Sequence, residues 1–184
     1  NIVLGEECHR FNKTASTNIS IGNLSQNIIH SGNNNLSFGH SNSKSLTSGS
    51  FNISIGNDSL KNTNIYNNNI AIGHSSLRDI NVLNDYISNN DYNISIGNMS
   101  GQNSIGGYNS FFGHSSGIYS QSYRSLAIGY KSLYNSYGDD NIAIGYESLA
   151  ESSLSVGNTT FHSNSFIGNY SGSILKGSDN CGVG

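Results

Sequence analysis

The sequence has little of what compact globular domains are usually built from. It contains no proline, no tryptophan and only two cysteines, and its charged residues make up 10%, against about a quarter in an average domain. The net charge of −3 offers no basic footprint for nucleic acid, so we expect no nucleic-acid partner. No run of about 18 apolar residues occurs, so no membrane insertion of this segment is predicted.

Asparagine and serine take the place of the missing residue types. The chain has 30 Asn and 35 Ser among its 184 residues, and only 34% of its residues are apolar. A polar chain of this kind can be disordered, because it offers little apolar surface to bury. Order therefore has to be inferred from regular repetition.

A five-residue phrase, NISIG or a close variant, recurs along the whole chain. Its glycines, which we call the anchors, are Gly5, Gly22, Gly39, Gly56, Gly73, Gly97, Gly113, Gly129, Gly145, Gly157, Gly168 and Gly184. Most anchors are 16 or 17 residues apart, with intervals of 24 before Gly97, 12 before Gly157 and 11 before Gly168.

Asparagine precedes the anchors at a fixed distance. Four residues before the anchor, ten of the twelve positions are Asn, where chance at this composition would give about two. Asn18, Asn52, Asn69, Asn93 and Asn141 open the clearest copies of the phrase. In coils stacked about 4.8 Å apart, each Asn would lie above the next, and the side-chain amides would form a hydrogen-bonded ladder.

The phrase itself predicts a short strand followed by a turn. In Ile53–Ser54–Ile55 the apolar residues alternate with a small one, so we expect the isoleucines to face the core and Ser54 to face outward. Gly56 then allows a positive φ at the corner. A second phrase, G-x-x-S-L or G-x-x-S-G, follows, and the Asn-, Ser- and Gly-rich rest of each repeat is interpreted as a turn and a weaker return strand.

These patterns predict an all-β fold, a parallel β-solenoid or β-roll of about 11–12 short coils with 16–17 residues each. One repeat domain covers residues 1–184, with an insertion at 78–92 and shorter irregular coils at 146–168. Because one thin coil buries few apolar side chains, we expect a homotrimer.

The chemically reactive residues form no predicted catalytic or metal site. His40, His74 and His114 each follow an anchor and are interpreted as polar turn residues. Cys8 and Cys181 lie in the first and last coils, too far apart for an intrachain disulfide, and Cys181 is expected to be a buried free thiol. We therefore predict no metal, no cofactor and no enzymatic activity.

Insertions in solenoids form loops on one face, which is often the binding face. The insertion is accordingly our candidate for contact with a host-surface receptor, either a glycan or a matrix protein; a passive bulge is the alternative. The contact residues predicted in it are Arg78, Asp79, Asn84, Asp85, Tyr86, Asp91 and Tyr92.

Phrases such as NIAIGYESL at 141–149 and NIAIGHSSL at 69–77 resemble two known repeat classes. One is the β-roll head repeat of trimeric autotransporter adhesins, and the other is the N-T-A-I-G-Y-N-A-L/G repeat of phage and large-virus tail or surface fibres. The resemblance covers essentially the whole chain and implies a trimeric, non-catalytic, extracellular fibre on a virion or cell surface.

Three other functions compete with a structural or adhesive fibre segment. A self-assembling, amyloid-like or end-to-end stacked filament is the principal alternative, because Asn ladders also favour cross-β stacking. An ice-binding solenoid would need regular Thr arrays, and the six Thr are scattered. A β-helical polysaccharide-degrading enzyme would need converging carboxylates, which the sequence does not indicate.

Overall fold

The computed structural model describes residues 1–80, 90–151, 162–173 and 177–184. These residues form an all-β solenoid in which eleven strands of three residues each make one parallel sheet in chain order. The strands are β1 (Ile2–Leu4), β2 (Ile19–Ile21), β3 (Leu36–Phe38), β4 (Ile53–Ile55), β5 (Ile70–Ile72), β6 (Ile94–Ile96), β7 (Ser110–Phe112), β8 (Leu126–Ile128), β9 (Ile142–Ile144), β10 (Ser165–Ile167) and β11 (Cys181–Val183).

Each strand pairs in register with the equivalent residues of the next coil, so the predicted repeat and solenoid are confirmed. One predicted coil is not: β9 pairs directly with β10, with Ile144 opposite Ile167. The phrase at 153–157 lies wholly outside the described residues. The anchors of the paired strands β9 and β10, Gly145 and Gly168, are 23 residues apart in the sequence.

The predicted asparagine ladder is present and runs through the stack. The backbone N–H of Asn52 donates to Oδ1 of Asn35 at 3.0 Å, and Oδ1 of Asn52 accepts the N–H of Asn69 at 3.0 Å. The Asn52 side-chain amide also donates to the carbonyl of Tyr66 across the coil, at 2.9 Å. Asn52 thus joins three backbone segments while remaining buried, and the rungs from Asn18 to Asn164 are buried as well.

The ladder continues from Asn1 to Asn180 with one change of residue type. Ser125 stands where the other rungs have Asn, and its Oγ accepts the N–H of Asn141 at 3.2 Å. The described rungs are Asn1, Asn18, Asn35, Asn52, Asn69, Asn93, Asn109, Ser125, Asn141, Asn164 and Asn180.

The described anchor glycines from Gly5 to Gly168 occupy corners that no other residue fits. Gly56 has a φ of +131°, and a Cβ built on it would collide with the carbonyl oxygen of Gly73 in the next coil. The coils therefore approach one another too closely at this corner for any side chain.

The predicted orientation of the strand side chains is wrong. In nearly every strand the small middle residue is buried, as Ser54 and Ala71 are, while the flanking isoleucines are partly or largely exposed. Cys181, at a flanking position, is accordingly exposed rather than buried. At the strand the interior of the coil is narrow, so a small middle residue usually faces inward and the large flanking residues point out.

The predicted return strand is also wrong for most coils. The residues after each anchor form turns in which left-handed and right-handed conformations alternate, as at Asp58 (φ 54°) and Leu60 (φ 50°). The N–H of Asp58 donates to the preceding coil at His40, whereas that of Leu60 donates to the next coil at Ser76. The alternation therefore directs hydrogen bonds both up and down the stack, which offsets the strain of so many left-handed residues.

The core depends on size matching between the strand and the second phrase. A buried Ala in the strand accompanies a buried Leu six residues later, as in Ala127 and Leu133. A buried Phe accompanies a glycine instead: a Cβ on Gly117 would overlap the Phe111 ring. This compensation accounts for the S-G endings at Gly117 and Gly172, whereas Gly101, in a coil with Ser95, lies against Leu77 and Phe111 of the neighbouring coils.

Replacing Asn52 by alanine should lower the free energy of unfolding by about 2–4 kcal/mol, because it leaves the N–H of Asn69 and the carbonyl of Tyr66 buried without these partners. Chemical denaturation monitored by circular dichroism measures the change. Asn64→Ala, at an exposed position, is the matched control and should have little effect. Ser125→Asn should raise stability, and an Asn52→Ala protein as stable as the Asn64→Ala control would contradict the role of the ladder.

Phe111→Ala should cost about 3–5 kcal/mol through the cavity it leaves. Adding Gly117→Leu should recover much of this loss, because the pair then reproduces Ala127 and Leu133 of the next coil. Gly117→Leu alone should be strongly destabilising, since its side chain overlaps Phe111. A double-mutant cycle by denaturation tests this coupling, and strictly additive effects would refute the size matching.

Candidate functional site

The most extensive feature of the surface is the outward side of the parallel sheet, which we call the strand face. It comprises the two residues that flank the middle residue of each strand. They are Ile2, Leu4, Ile19, Ile21, Leu36, Phe38, Ile53, Ile55, Ile70, Ile72, Ile94, Ile96, Ser110, Phe112, Leu126, Ile128, Ile142, Ile144, Ser165, Ile167, Cys181 and Val183.

The strand face is apolar and uncharged along its whole length. Of its 22 residues 19 are large and apolar, and the other three are Ser110, Ser165 and Cys181. None of the 22 is buried, and Ile55, Ile96 and Ile128 are each 38–39% exposed. Eleven strands about 4.8 Å apart give this strip a length on the order of 50 Å. Contiguous apolar patches of this kind mark interaction surfaces.

Of the predicted receptor-contact residues, Arg78, Asp79 and Asp91 make contacts with neighbouring coils or with one another. Arg78 forms ion pairs with Asp58 (3.6 Å) and Asp79 (3.0 Å). Asp91 accepts the backbone N–H of Asn67 at 2.6 Å. These charged side chains therefore secure the two ends of the insertion to neighbouring coils.

Tyr92 is the exposed member of that predicted set. It is 48% exposed and stacks on Tyr108 of the next coil, with 4.9 Å between ring centroids. Asn84, Asp85 and Tyr86 lie outside the described residues, so the predicted contact loop stays a prediction at its centre.

The residues that follow the anchors form an exposed column at one edge of the solenoid. His114 stacks on Tyr130 at 5.4 Å, and Tyr130 stacks on Tyr146 at 5.1 Å. Partial loss of hydration, and secondly the Glu147 carboxylate, raise the pKa of Tyr146 to about 12. Its hydroxyl is therefore neutral near pH 7. His40, His74 and His114 are exposed, as expected of turn residues.

A groove that the sequence did not reveal lies at another corner, and we call it the corner groove. Two columns of side chains line it, one formed by Asn103, Tyr119 and Asn135 and the other by Ile105, Gln121 and Tyr137. Asp79 lies at its end, and its volume is about 360 Å³. No residue of the strand face lines it.

The shorter coils give the corner groove its shape. Ile105, Gln121 and Tyr137 are joined by isolated parallel bridges, which among the described residues occur only in this block of 16-residue coils. Tyr119 and Tyr137 are 48% and 38% exposed, and Tyr119 packs edge-on against Tyr134 with 6.2 Å between centroids. The residues that line the corner groove are thus attached to a regular, hydrogen-bonded backbone.

Charged side chains are sparse and mostly paired with one another. Arg124, for example, donates to both carboxylate oxygens of Asp140, at 2.7 and 2.8 Å, and lowers the pKa of that carboxyl. Within the described ranges, no three His, Cys, Asp or Glu side chains lie close enough together to hold a metal ion. The described part of the chain also has no helix long and apolar enough to cross a membrane.

The sequence and the structure were both compared with known proteins. No family model matches the chain, and neither a curated protein nor a solved structure matches it. Functional inference therefore rests on the stacked coils, the strand face and the corner groove.

Proposed function

We propose that the chain is a non-catalytic structural and adhesive segment of an extracellular fibre, on a virion or a cell surface. In this role it supplies a rigid shaft or head for attachment to a host receptor. The strand face is the observation that carries the proposal. A continuous apolar strip along the stack of coils is suited to lateral association with copies of itself.

The proposed assembly is a homotrimer in which three strand faces meet along a common axis. The face is about three residues wide, on the order of 10 Å, so its area is on the order of 500 Å² per copy. Full burial of the face on all three copies removes about 1,500 Å² in total, or about 500 Å² for each pair of copies, so the three contacts reach the size of a specific interface only together. Charge does not oppose this contact, because the face carries none.

Three copies would bury the strand face more completely than two. Three narrow strips can turn toward one axis and enclose a thin apolar core, in which every strip touches both partners. Ser110, Ser165 and Cys181 are the polar or thiol positions on the face, and each is small enough to be accommodated there. The resemblance of the repeat phrases to trimeric adhesin heads and viral fibres supports the same number and the extracellular location.

The self-assembling filament remains the alternative that a specific feature favours. The in-register parallel ladder of asparagines is also the arrangement found in stacked cross-β filaments. The two assemblies differ in stoichiometry, since a trimer is closed and a filament is open-ended.

Size-exclusion chromatography with light scattering tests the proposal directly. The 19.6 kDa chain should elute with three times its own mass. Ile55→Asp combined with Ile96→Asp should shift the protein toward monomer, raising the dissociation constant by about a hundredfold or more, because unpaired charges would be buried in an apolar interface. Circular dichroism should show the strand content retained.

Ile65→Asp is the matched control, because Ile65 is 60% exposed but lies off the strand face. It should leave the trimer intact. A wild-type protein that is monomeric at micromolar concentration would overturn the proposal. A mass that grows continuously with protein concentration would favour the filament instead.

A further inference from the structure

We propose that the corner groove binds a neutral oligosaccharide chain lying along the solenoid axis. This inference goes beyond the fibre role and does not depend on it, because the groove is formed within one chain. It rests on three properties of the lining: aromatic surface, amide groups and charge.

The aromatic surface is provided by Tyr119 and Tyr137, which lie on opposite walls in successive coils. Both rings are well exposed. The Tyr119 ring packs against Tyr134, and the backbone of Tyr137 is held by its bridge to Gln121. Rigid, amphipathic rings of this kind supply contact area at low cost in conformational entropy. The C–H faces of pyranose rings are the apolar surfaces of saccharides that pack on such rings.

The polar lining consists mainly of carboxamides. Asn103 and Gln121 each offer a carbonyl oxygen and an NH₂ group, so together they can accept from and donate to neighbouring hydroxyls. A ligand with many hydroxyl groups uses both functions. An apolar ligand would bury these polar groups without hydrogen-bond partners.

The lack of cationic side chains in the groove disfavours nucleic acids and sulfated glycans as ligands. The groove has no Lys, Arg or His in its lining, and its one ionisable acid, Asp79, lies at the end and interacts with Arg78 and Asn62. A nucleic acid or a sulfated glycan needs cations along its path, and this groove offers none. A neutral ligand fits its charge.

The groove is a local departure from the repeat rather than a property of every coil. At the positions six residues after the anchors, earlier coils have Ile28, Ser45 and Asn62, and eight residues after them His30, Thr47 and Asn64. Tyr119, Gln121 and Tyr137 lie in the block of 16-residue coils. Two coil spacings, on the order of 10 Å, give room for two to three sugar rings.

Isothermal titration calorimetry with maltotriose, cellotriose and tri-N-acetylchitotriose at millimolar concentration tests the proposal. At least one of these trisaccharides should bind, and Tyr119→Ala should weaken that binding at least tenfold. Tyr146→Ala is the matched control, because Tyr146 is 39% exposed but lies outside the groove. Gln121→Leu, which keeps both rings, should also weaken binding and serves as a second variant if Tyr119→Ala fails to fold.

The same titration contains the outcomes that would overturn the proposal. Failure of all three trisaccharides to bind the folded wild-type protein would do so. Binding that survives both Tyr119→Ala and Gln121→Leu would place the ligand elsewhere. Preference for a sulfated heparin trisaccharide, or for a collagen-like Pro-Pro-Gly peptide, would show a different ligand class. Light scattering on the same samples reports the oligomeric state separately, so failure of this proposal and failure of the trimer are distinguishable.

Discussion

The buried asparagine ladder is the interaction on which the rest of the structure depends. Every rung accepts or donates hydrogen bonds in its own coil and in the next, so the coils are held in register along the whole stack. Register decides which residues lie above one another. The apolar strips of the strand face, the stacked tyrosines and the corner groove all follow from that alignment.

Narrow coils impose the second constraint. A loop of 16 or 17 residues encloses so little space that small strand residues face inward, and a Phe enters only where the second phrase supplies a glycine. Large apolar side chains are therefore displaced to the outside. The fold stabilises itself chiefly by backbone and amide hydrogen bonds, and leaves an apolar face that association with further copies would cover.

The sequence predicted the parts of the fold that repeat. It did not predict which strand side chains face the core, or the features that occur in only a few coils. Asn spacing predicted the ladder, and the anchors predicted the corners, because both recur at fixed distances. The alternation in Ile53–Ser54–Ile55 has a period of two but does not show which face is buried, and the assumption that isoleucine faces inward was wrong for nearly every strand. The pairing of Phe111 with Gly117 and of Ala127 with Leu133 was a usable signal, since size compensation across a core indicates which residues are inside. The corner groove was not predicted, because Tyr119, Gln121 and Tyr137 lie at positions whose residue types do not recur from coil to coil.

Amide hydrogen exchange measured by NMR tests the central claim, a hydrogen-bonded stack of coils held by asparagine, most directly. The backbone amides of Asn35, Asn52 and Asn69 donate to side chains of the preceding coil and are buried, so they should exchange among the slowest in the molecule. Amides of exposed turn residues such as Asn64 should exchange much faster. Uniform exchange at the rate of an unstructured peptide would contradict the stack and would show that the polar chain is disordered in solution.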